Sequence, residues 1–314
     1  MSRRRSPLPP SLAPGVFTTA EARAAGVSSR RLAADDLIRI AQGLYATRTG
    51  NVTELDVVAA CARGAPGVVG CTLTAARLWG FPMPERSPTW DLTDRRCSVH
   101  LSREGSHRST SGRIRWRELS LGPEDVSSLR DVPLTSRTRT LLDLSTVFSH
   151  AALVSVGDHL VRIPRPKFEQ RSEPYIALDE LVMLAERYRG RGAARLRTAL
   201  DHVRVGSDSP AETKLRLAVI REGIPEPQIN VEIFAGPVSL GTPDLSWAQW
   251  QVCLEHEGPS HRTPQQQERD IERSERRRDH GWVEIQTTAR DLRSECHRAV
   301  DRISENMRRQ GWTG

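Results

Sequence analysis

The chain has 314 residues, a formal net charge of +7 at pH 7, and a 37% share of hydrophobic residues. This length supports two or three globular domains, and the positive charge favours an acidic partner such as nucleic acid over a neutral one. Five cysteines lack paired metal-ligand spacing, and no apolar run has the length of a membrane span or a secretory signal. A cytoplasmic protein without a membrane partner is therefore expected.

Residues 1–50 have the spacing of a helix-turn-helix that is followed by a hairpin. Thr19 and Ser28 are predicted helix caps, Gly26 marks the turn between the helices, and Gly43 marks the bend of the hairpin. The predicted elements are two helices and two strands, at 20–25, 28–37, 38–40 and 44–47. This order predicts a winged helix-turn-helix domain.

Four arginines of this segment are candidate DNA-binding residues. Arg30 and Arg31 lie in the first turn of the second predicted helix, where a recognition helix meets base edges. Arg39 and Arg48 lie on the predicted hairpin, from which they could reach phosphates. The alternative is a winged helix that docks a protein, with the arginines on a solvated face.

The same segment resembles the winged-helix N-terminal domain of type IV abortive-infection antitoxins. The residues that carry the resemblance are Phe17, Thr18, the Ala25-Gly26-Val27-Ser28 turn, Leu32 and Gly43-Leu44-Tyr45. A later run, Thr138 to Asp143, is similar to the same proteins. The resemblance implies DNA binding, with a toxin or another protein as a possible partner.

Residues 51–205 are predicted to form a middle α+β domain that serves as a spacer and interaction surface. The predicted helices are 55–63, 72–79, 139–145, 178–187 and 193–202, and the predicted strands are 90–92, 99–101 and 114–117. No internal repeat and no nucleophile with a base partner stands out in this sequence. Its chemistry therefore stays open.

Residues 206–314 are predicted to fold as helix, three strands, helix and strand, with a last helix that ends near Arg309. Ser209, Pro210 and Glu212 form a capping box at the first helix, which stops at Gly223. The predicted strands are 230–234, 238–247 with a break at Gly241, 251–257 and 282–288, and the second helix is 263–281. A hairpin turn at 249–250 would place Asp244 opposite Glu255 and Leu245 opposite Leu254.

This register gathers acidic side chains on one face of the hairpin. Glu257 shares that face with Asp244 and Glu255 because side chains alternate along a strand. Clustered carboxylates repel one another unless a cation, an arginine or a proton compensates, and a hard ion such as magnesium suits oxygen ligands. A solvated strand face is the alternative, and Glu212 could be a helix cap, a catalytic residue or both.

The C-terminal part resembles the very-short-patch-repair-like branch of the PD-(D/E)XK nuclease superfamily. The matching residues are Pro243, Asp244, Glu255, His256, Glu257, Gly258, His261, Arg269, Asp270, Arg273, Gly281 and Trp282. The implied fold is an αβββαβ restriction-endonuclease-like core. The whole chain is thus expected to be a multidomain α/β protein, with domains at 1–50, 51–205 and 206–314.

The resemblance implies a DNA endonuclease that uses Mg²⁺ or Mn²⁺. Asp244 and Glu255 would hold the metal with Glu257 as an auxiliary ligand, and Glu212 would orient water or a second ion. The superfamily lysine would fall at Glu257, so the resemblance implies His261 as its substitute and proton carrier. Two further residues, Arg269 and Arg273, would contact phosphates or form an ion-paired helix face.

The competing class is a non-catalytic, antitoxin-like transcriptional regulator in which the nuclease fold is inert. The missing lysine favours this class, whereas the acid cluster favours the nuclease.

Overall fold

The structure is a computed structural model that describes residues 6–12, 15–94, 96–105, 111–165, 169–258 and 263–314. The chain divides into two compact units: Met1–Phe148 with Gly190–Gly192, and Ser149–Arg189 with Ala193–Gly314. The protein is a multidomain α/β protein, as predicted, with mixed sheets. The boundary after Phe148 falls inside the predicted middle domain, and the division into three domains stays a prediction. None of the described helices is long and apolar enough to cross a membrane.

The first unit begins with a small antiparallel sheet and two short helices. These elements are β1 (Val16–Thr18), α1 (Thr19–Ala24), α2 (Ser29–Leu32), β2 (Leu37–Ala41) and β3 (Leu44–Thr47), with the strand order β1-β3-β2. The predicted hairpin is present, and Gly43 adopts φ 76° at its bend. Thr18, not Thr19, caps α1, and Ser28 caps α2 as predicted. The second helix ends at Leu32 instead of Leu37, because Leu37 begins a strand that pairs with β3.

The rest of the first unit is built on a five-stranded mixed sheet with the order β6-β5-β4-β8-β7. Its elements are α3 (Glu54–Gly64), β4 (Val69–Gly70), α4 (Thr72–Leu78), β5 (Val99–Ser102), β6 (Ile114–Arg117), β7 (Val126–Leu129), β8 (Val132–Thr135) and α5 (Arg137–Leu144). The predicted strand at 90–92 is wrong, since these residues form a loop. Strands β4, β7 and β8 were not predicted, because β4 has only two residues and β7 is largely exposed.

The second unit places helices around a four-stranded sheet with the order β14-β13-β12-β9. Its elements are α6 (His150–Val161), α7 (Leu178–Arg187), α8 (Ala193–Leu200), α9 (Pro210–Arg221), β9 (Gln228–Ile229), β10 (Phe234–Ala235), β11 (Val238–Ser239), β12 (Leu245–Trp247), β13 (Val252–Glu257), α10 (Pro264–Asp279), β14 (Val283–Thr288) and α11 (His297–Arg309). Strands β10 and β11 form a separate hairpin. Helix α10 connects β13 to its parallel neighbour β14, as such a pair requires.

The predicted register of the central hairpin is confirmed. Leu245 pairs with Leu254 and Trp247 pairs with Val252 across β12 and β13. These four side chains are buried in one core with residues of α9 and α11, including Ile303. The apolar face of the hairpin therefore packs under the helices, and the acids belong to the opposite face.

The first predicted strand of this region, 230–234, is wrong. The chain pairs two residues earlier, in β9, and Asn230 adopts a left-handed conformation with φ 51°. Its side-chain amide donates to the Gly206 carbonyl at 2.9 Å and to Glu212 at 2.7 Å. These tertiary hydrogen bonds stabilise a conformation that Asn tolerates better than most residues, and they end the strand.

A buried ion pair joins α6 to α9 in the second unit. Arg216 is fully buried, and its Nη2 donates to Asp158 Oδ2 at 2.9 Å. Asp158 also accepts from Thr213 Oγ1 and from the Arg204 amide, both at 2.7 Å. Because a buried guanidinium needs an opposite charge, α6 is held to the helix that begins the predicted C-terminal domain.

We predict that Asp158→Ala lowers the free energy of unfolding by about 3 kcal/mol, because it leaves Arg216 buried with only a partner at the surface, Glu226. Urea titration followed by tryptophan fluorescence measures the change. The control is Asp201→Ala, at an exposed position of the same unit, which should change the free energy by less than about 0.5 kcal/mol. Equal effects of the two variants would contradict a structural role for the ion pair.

Candidate functional site

Asp244 and Glu255 lie next to each other where the central hairpin opens. Asp244 immediately precedes Leu245 of β12, Glu255 immediately follows its partner Leu254 in β13, and both acids line one cleft. The backbone amide of His256 donates to Asp244 Oδ2 at 2.6 Å, which holds this carboxylate against β13. Burial raises the pKa of Asp244. The predicted meeting of two acids across the hairpin is therefore present.

Glu212 joins these acids from the first turn of α9. Ser209 Oγ accepts from the Glu212 amide at 3.3 Å and donates to Glu212 Oε1 at 2.8 Å, so Ser209 caps α9 as predicted. The reciprocal bond of the predicted capping box is shifted by one residue, because Glu212 accepts from the amide of Asp208. The Asp208 amide and Asn230 Nδ2 donate to Oε2 at 2.8 and 2.7 Å. Burial raises the pKa of Glu212 to about 7, and the charge of Asp244 adds to the rise. The contacts at the start of α9 thus hold Glu212 close enough to Asp244 for the charge of Asp244 to raise its pKa. A capping role and a catalytic role of Glu212 are therefore compatible.

Glu255 has an internal cationic partner, Arg277, that the sequence did not predict. Arg277 of α10 is fully buried and donates from Nη1 to Glu255 Oε1 and to Glu284 Oε2, each at 2.8 Å. Burial raises the pKa of Glu255, whereas the hydrogen bond from Arg277 opposes the rise. Mixed charges at helical spacing along α10 favour a solvated, ion-paired face, and this expectation is wrong for Arg277, which is buried. The sole apolar residue of α10, Ile271, is instead 54% exposed, so hydrophobic periodicity carried no signal.

The acid face opens into a cleft of about 340 Å³. Its lining is largely charged and polar and comes from β13, α10, β14 and the residue before β12: Asp244, Glu255, His256, Glu257, Gln267, Asp270, Ile271, Arg273, Ser274, Glu275, Arg278, Glu284 and Gln286. Parallel pairing sets Glu255 beside Gln286 and Glu257 beside Thr288. Glu284 and Gln286 were not among the predicted site residues, because only the β13–β14 pairing brings them to this face.

The remaining candidates of this region divide into three groups. Glu257 is half-buried and lines the cleft with Asp244 and Glu255. Arg273 pairs with Asp270 at 3.0 Å and with Glu255 at 3.6 Å, so it faces the site, whereas Arg269 is exposed. His261 lies outside the described residues.

The oxygen atoms of the site fit a magnesium ion in part. Among the described residues, no group of three or more His, Cys, Asp or Glu side chains is arranged to hold a metal ion. Within the same part of the chain, however, no donor reaches Oδ1 of Asp244 or Oε2 of Glu255. Magnesium is commonly held by one or two carboxylates, with water and substrate phosphates completing its shell. Of the residues that the structure describes, Asp244 and Glu255 are thus the carboxylates at the cleft that could supply one or two such ligands.

The N-terminal arginines differ in their availability. Arg31 donates to both carboxylate oxygens of Asp36, at 2.8 and 2.7 Å, and from Nε to the Ser6 carbonyl at 2.8 Å. Arg30 and Arg39 are exposed, and Arg48 is exposed with its Nε bonded to the Asp35 carbonyl. Arg31 therefore braces α2, and Arg30 is the freer of the adjacent pair.

Comparison with known proteins gives two distant relatives. The chain is 24% identical over 284 residues to the uncharacterized proteins MT2308 and Rv2248 of Mycobacterium tuberculosis, from strains CDC 1551 and H37Rv. Each match covers 88% of this chain and 95% of the relative. No family model matches the chain, and no solved structure matches it at a significant level.

We predict that Glu212→Gln removes the part of the pH dependence of the free energy of unfolding that the titration of Glu212 causes. With its pKa raised from 4.5 to about 7, folded Glu212 binds more protons than the unfolded chain, so stability falls as pH rises between these values. In EDTA the variant should gain about 3 kcal/mol over the parent between pH 4.5 and pH 8. The glutamine oxygen can keep both bonds of Oε2. Parallel pH profiles of unfolding free energy would contradict this assignment.

We predict that alanine substitution at the two neighbouring arginines of α2 affects different properties. Arg31→Ala should lower the free energy of unfolding by about 1 kcal/mol, because it breaks a bidentate ion pair, whereas Arg30→Ala should leave it unchanged. Arg30→Ala should instead reduce the salt dependence of duplex DNA binding by about one unit of slope. Thermal melting and fluorescence anisotropy separate the two effects. An unaltered slope in Arg30→Ala would point to a protein partner.

Proposed function

We propose that the protein binds DNA and that its second unit is a magnesium- or manganese-dependent endonuclease. The observation that carries this proposal is the gathering of three acids. Asn230 donates to the Asp244 carbonyl at 3.0 Å and to Glu212 at 2.7 Å, and Asp244 and Glu255 line one cleft. Burial raises the pKa of both glutamates, and the charge of Asp244 adds to the rise. Partly buried acids that repel one another are typical of sites that hold a cation. The net charge of +7 adds attraction for a polyanion.

The side chains have separable roles in this proposal. Asp244 and Glu255 would hold the metal through Oδ1 and Oε2, with Glu257 as an auxiliary ligand at the cleft. The metal would polarise a phosphate and lower the pKa of a bound water. Glu212 would accept a proton at Oε1 or Oε2, since a carboxyl with a pKa about 7 suits proton transfer at neutral pH. His261 would carry protons in place of the absent lysine.

DNA contact would come from exposed arginines of both units. Arg30, Arg39 and Arg48 lie on α2 and the neighbouring hairpin of the first unit. Arg269 is exposed on α10 and Arg273 lines the cleft of the second unit. Guanidinium groups form strong bidentate contacts with phosphates. A toxin or other protein partner for the first unit follows only from the antitoxin resemblance.

One observation favours the second candidate, a non-catalytic regulator. The chain already compensates its acids, with Arg277 and Arg273 at Glu255 and the His256 amide at Asp244. A site that is electrically balanced by its own arginines is compatible with a fold that only assembles or grips DNA.

The decisive experiment is cleavage of supercoiled plasmid by the purified full-length protein. We expect nicking with Mg²⁺ or Mn²⁺ and none with EDTA. Asp244→Asn should reduce the cleavage rate by more than about 100-fold. Substitution of a residue that only hydrogen-bonds to a metal ligand typically costs less than this. Asn keeps the size of the side chain and an oxygen for the His256 amide.

The matched control is Glu275→Gln, which also removes one charge from the cleft lining but at an exposed position of α10. It should retain the parental rate. Protein that binds duplex DNA and cuts with neither metal ion would favour the regulator. Equal losses in Asp244→Asn and Glu275→Gln would indicate that cleft charge alone, and not metal binding, controls the rate.

A further inference from the structure

Arg165 supplies an exposed positive charge beside the acids of the second unit. It lies in the loop that follows α6, and its side chain is 56% exposed. Its guanidinium forms an ion pair with Asp208 and donates to Asn230 Oδ1 at 3.4 Å. Asn230 in turn donates to Glu212 at 2.7 Å. Arg165 is thus connected to the acid site through one side chain.

The backbone of Arg165 is held in place by Glu169. The amide of Arg165 donates to Glu169 Oε1 at 3.2 Å, and the Glu169 amide donates to the Arg165 carbonyl at 3.1 Å. Glu169 also accepts from Arg162 at 2.7 Å. A long side chain that rises from a fixed backbone position loses less freedom when it binds an anion.

The charge of Arg165 reaches the acid site. Burial raises the pKa of Asp244, and the guanidinium of Arg165 opposes that rise. The other arginines differ in exposure, since Arg277 is fully buried and Arg273 is 31% exposed with two acidic partners. Among the described residues, Arg165 therefore combines solvent exposure with proximity to Asp244 and Glu212.

We propose that Arg165 binds a phosphate of the nucleic-acid backbone next to the acid site, an inference that deepens the proposed nuclease function and rests on it. A phosphate that approaches Glu212 and Asp244 meets carboxylates, which repel it. Arg165 offers two donors to such a phosphate on exchanging its contact with Asp208. It would position the backbone beside the acids, and it would supply positive charge that position 257 does not.

The test is duplex-DNA binding by the full-length protein, measured by fluorescence anisotropy over a salt series with Ca²⁺ or EDTA, so that cleavage does not interfere. Arg165→Gln should lower the slope of log K against log salt by about 0.9, the value for one lost phosphate contact. Arg221→Gln is the matched control, because Arg221 is an exposed arginine paired with Glu222 and Glu295 at the other end of α9. It should leave the slope unchanged.

Asp208→Asn separates phosphate binding from a structural ion pair. If Arg165 contacts phosphate, removal of the Asp208 charge frees the guanidinium, and DNA binding should be unchanged or tighter. If the ion pair only stabilises the fold, Asp208→Asn and Arg165→Gln should lower the melting temperature and the affinity alike, which would overturn the inference. An unchanged slope in Arg165→Gln would also overturn it. This comparison remains decisive even where Arg165→Gln folds poorly. DNA affinity in Asp208→Asn is unchanged or higher if Arg165 contacts phosphate, and it is lower if the ion pair only stabilises the fold.

Plasmid cleavage distinguishes this inference from the nuclease proposal. Protein that never cuts, yet loses slope in Arg165→Gln, contradicts the nuclease and keeps the phosphate contact. The parent protein could instead cut with Mn²⁺ while the Arg165→Gln variant keeps both the salt slope and the cleavage rate. This result would contradict the phosphate contact and leave the nuclease proposal standing.

Discussion

The acid site of the second unit depends on one buried cation, Arg277. Its Nη1 donates to Glu255 and Glu284, and its Nε donates to the Leu240 carbonyl at 3.0 Å. A fully buried guanidinium is tolerated only when acceptors and opposite charges surround it. Arg277 therefore ties α10 to β13, β14 and the loop before β12, and it compensates carboxylates that would otherwise repel one another. Loss of the Glu255 charge should destabilise this arrangement, although the acid pattern alone suggests relief of repulsion.

Tertiary contacts also give individual acids more than one role. Glu212 accepts three hydrogen bonds that complete the start of α9 and fix Asn230. Its burial there raises the pKa of its carboxyl group to about 7. A group that is held this firmly is oriented before any ligand arrives, which is the property that a proton-transfer residue needs. Structural and chemical roles therefore coincide at this residue.

The positive charge of the chain is less available to a nucleic acid than its total suggests. Several arginines in each unit form ion pairs with acidic residues of the same unit. They include Arg31, Arg77 and Arg139 in the first unit and Arg216 and Arg277 in the second. Arg216 and Arg277 are inaccessible, because both are fully buried. Candidate phosphate contacts are consequently found among exposed arginines such as Arg30 and Arg165, and net charge by itself does not identify them.

The sequence by itself determined where α9 and α10 begin and the register of the central hairpin. Capping residues placed α9 and α10, and alternation along β12 and β13 predicted that Leu245 faces Leu254, because strand side chains repeat every two residues. Only the tertiary structure decided that Asn230 ends a strand, that Arg277 is buried against Glu255, and that Arg165 stands near Glu212. Each of these depends on a partner distant in the chain, and periodicity reports which face a residue occupies but not what it meets there.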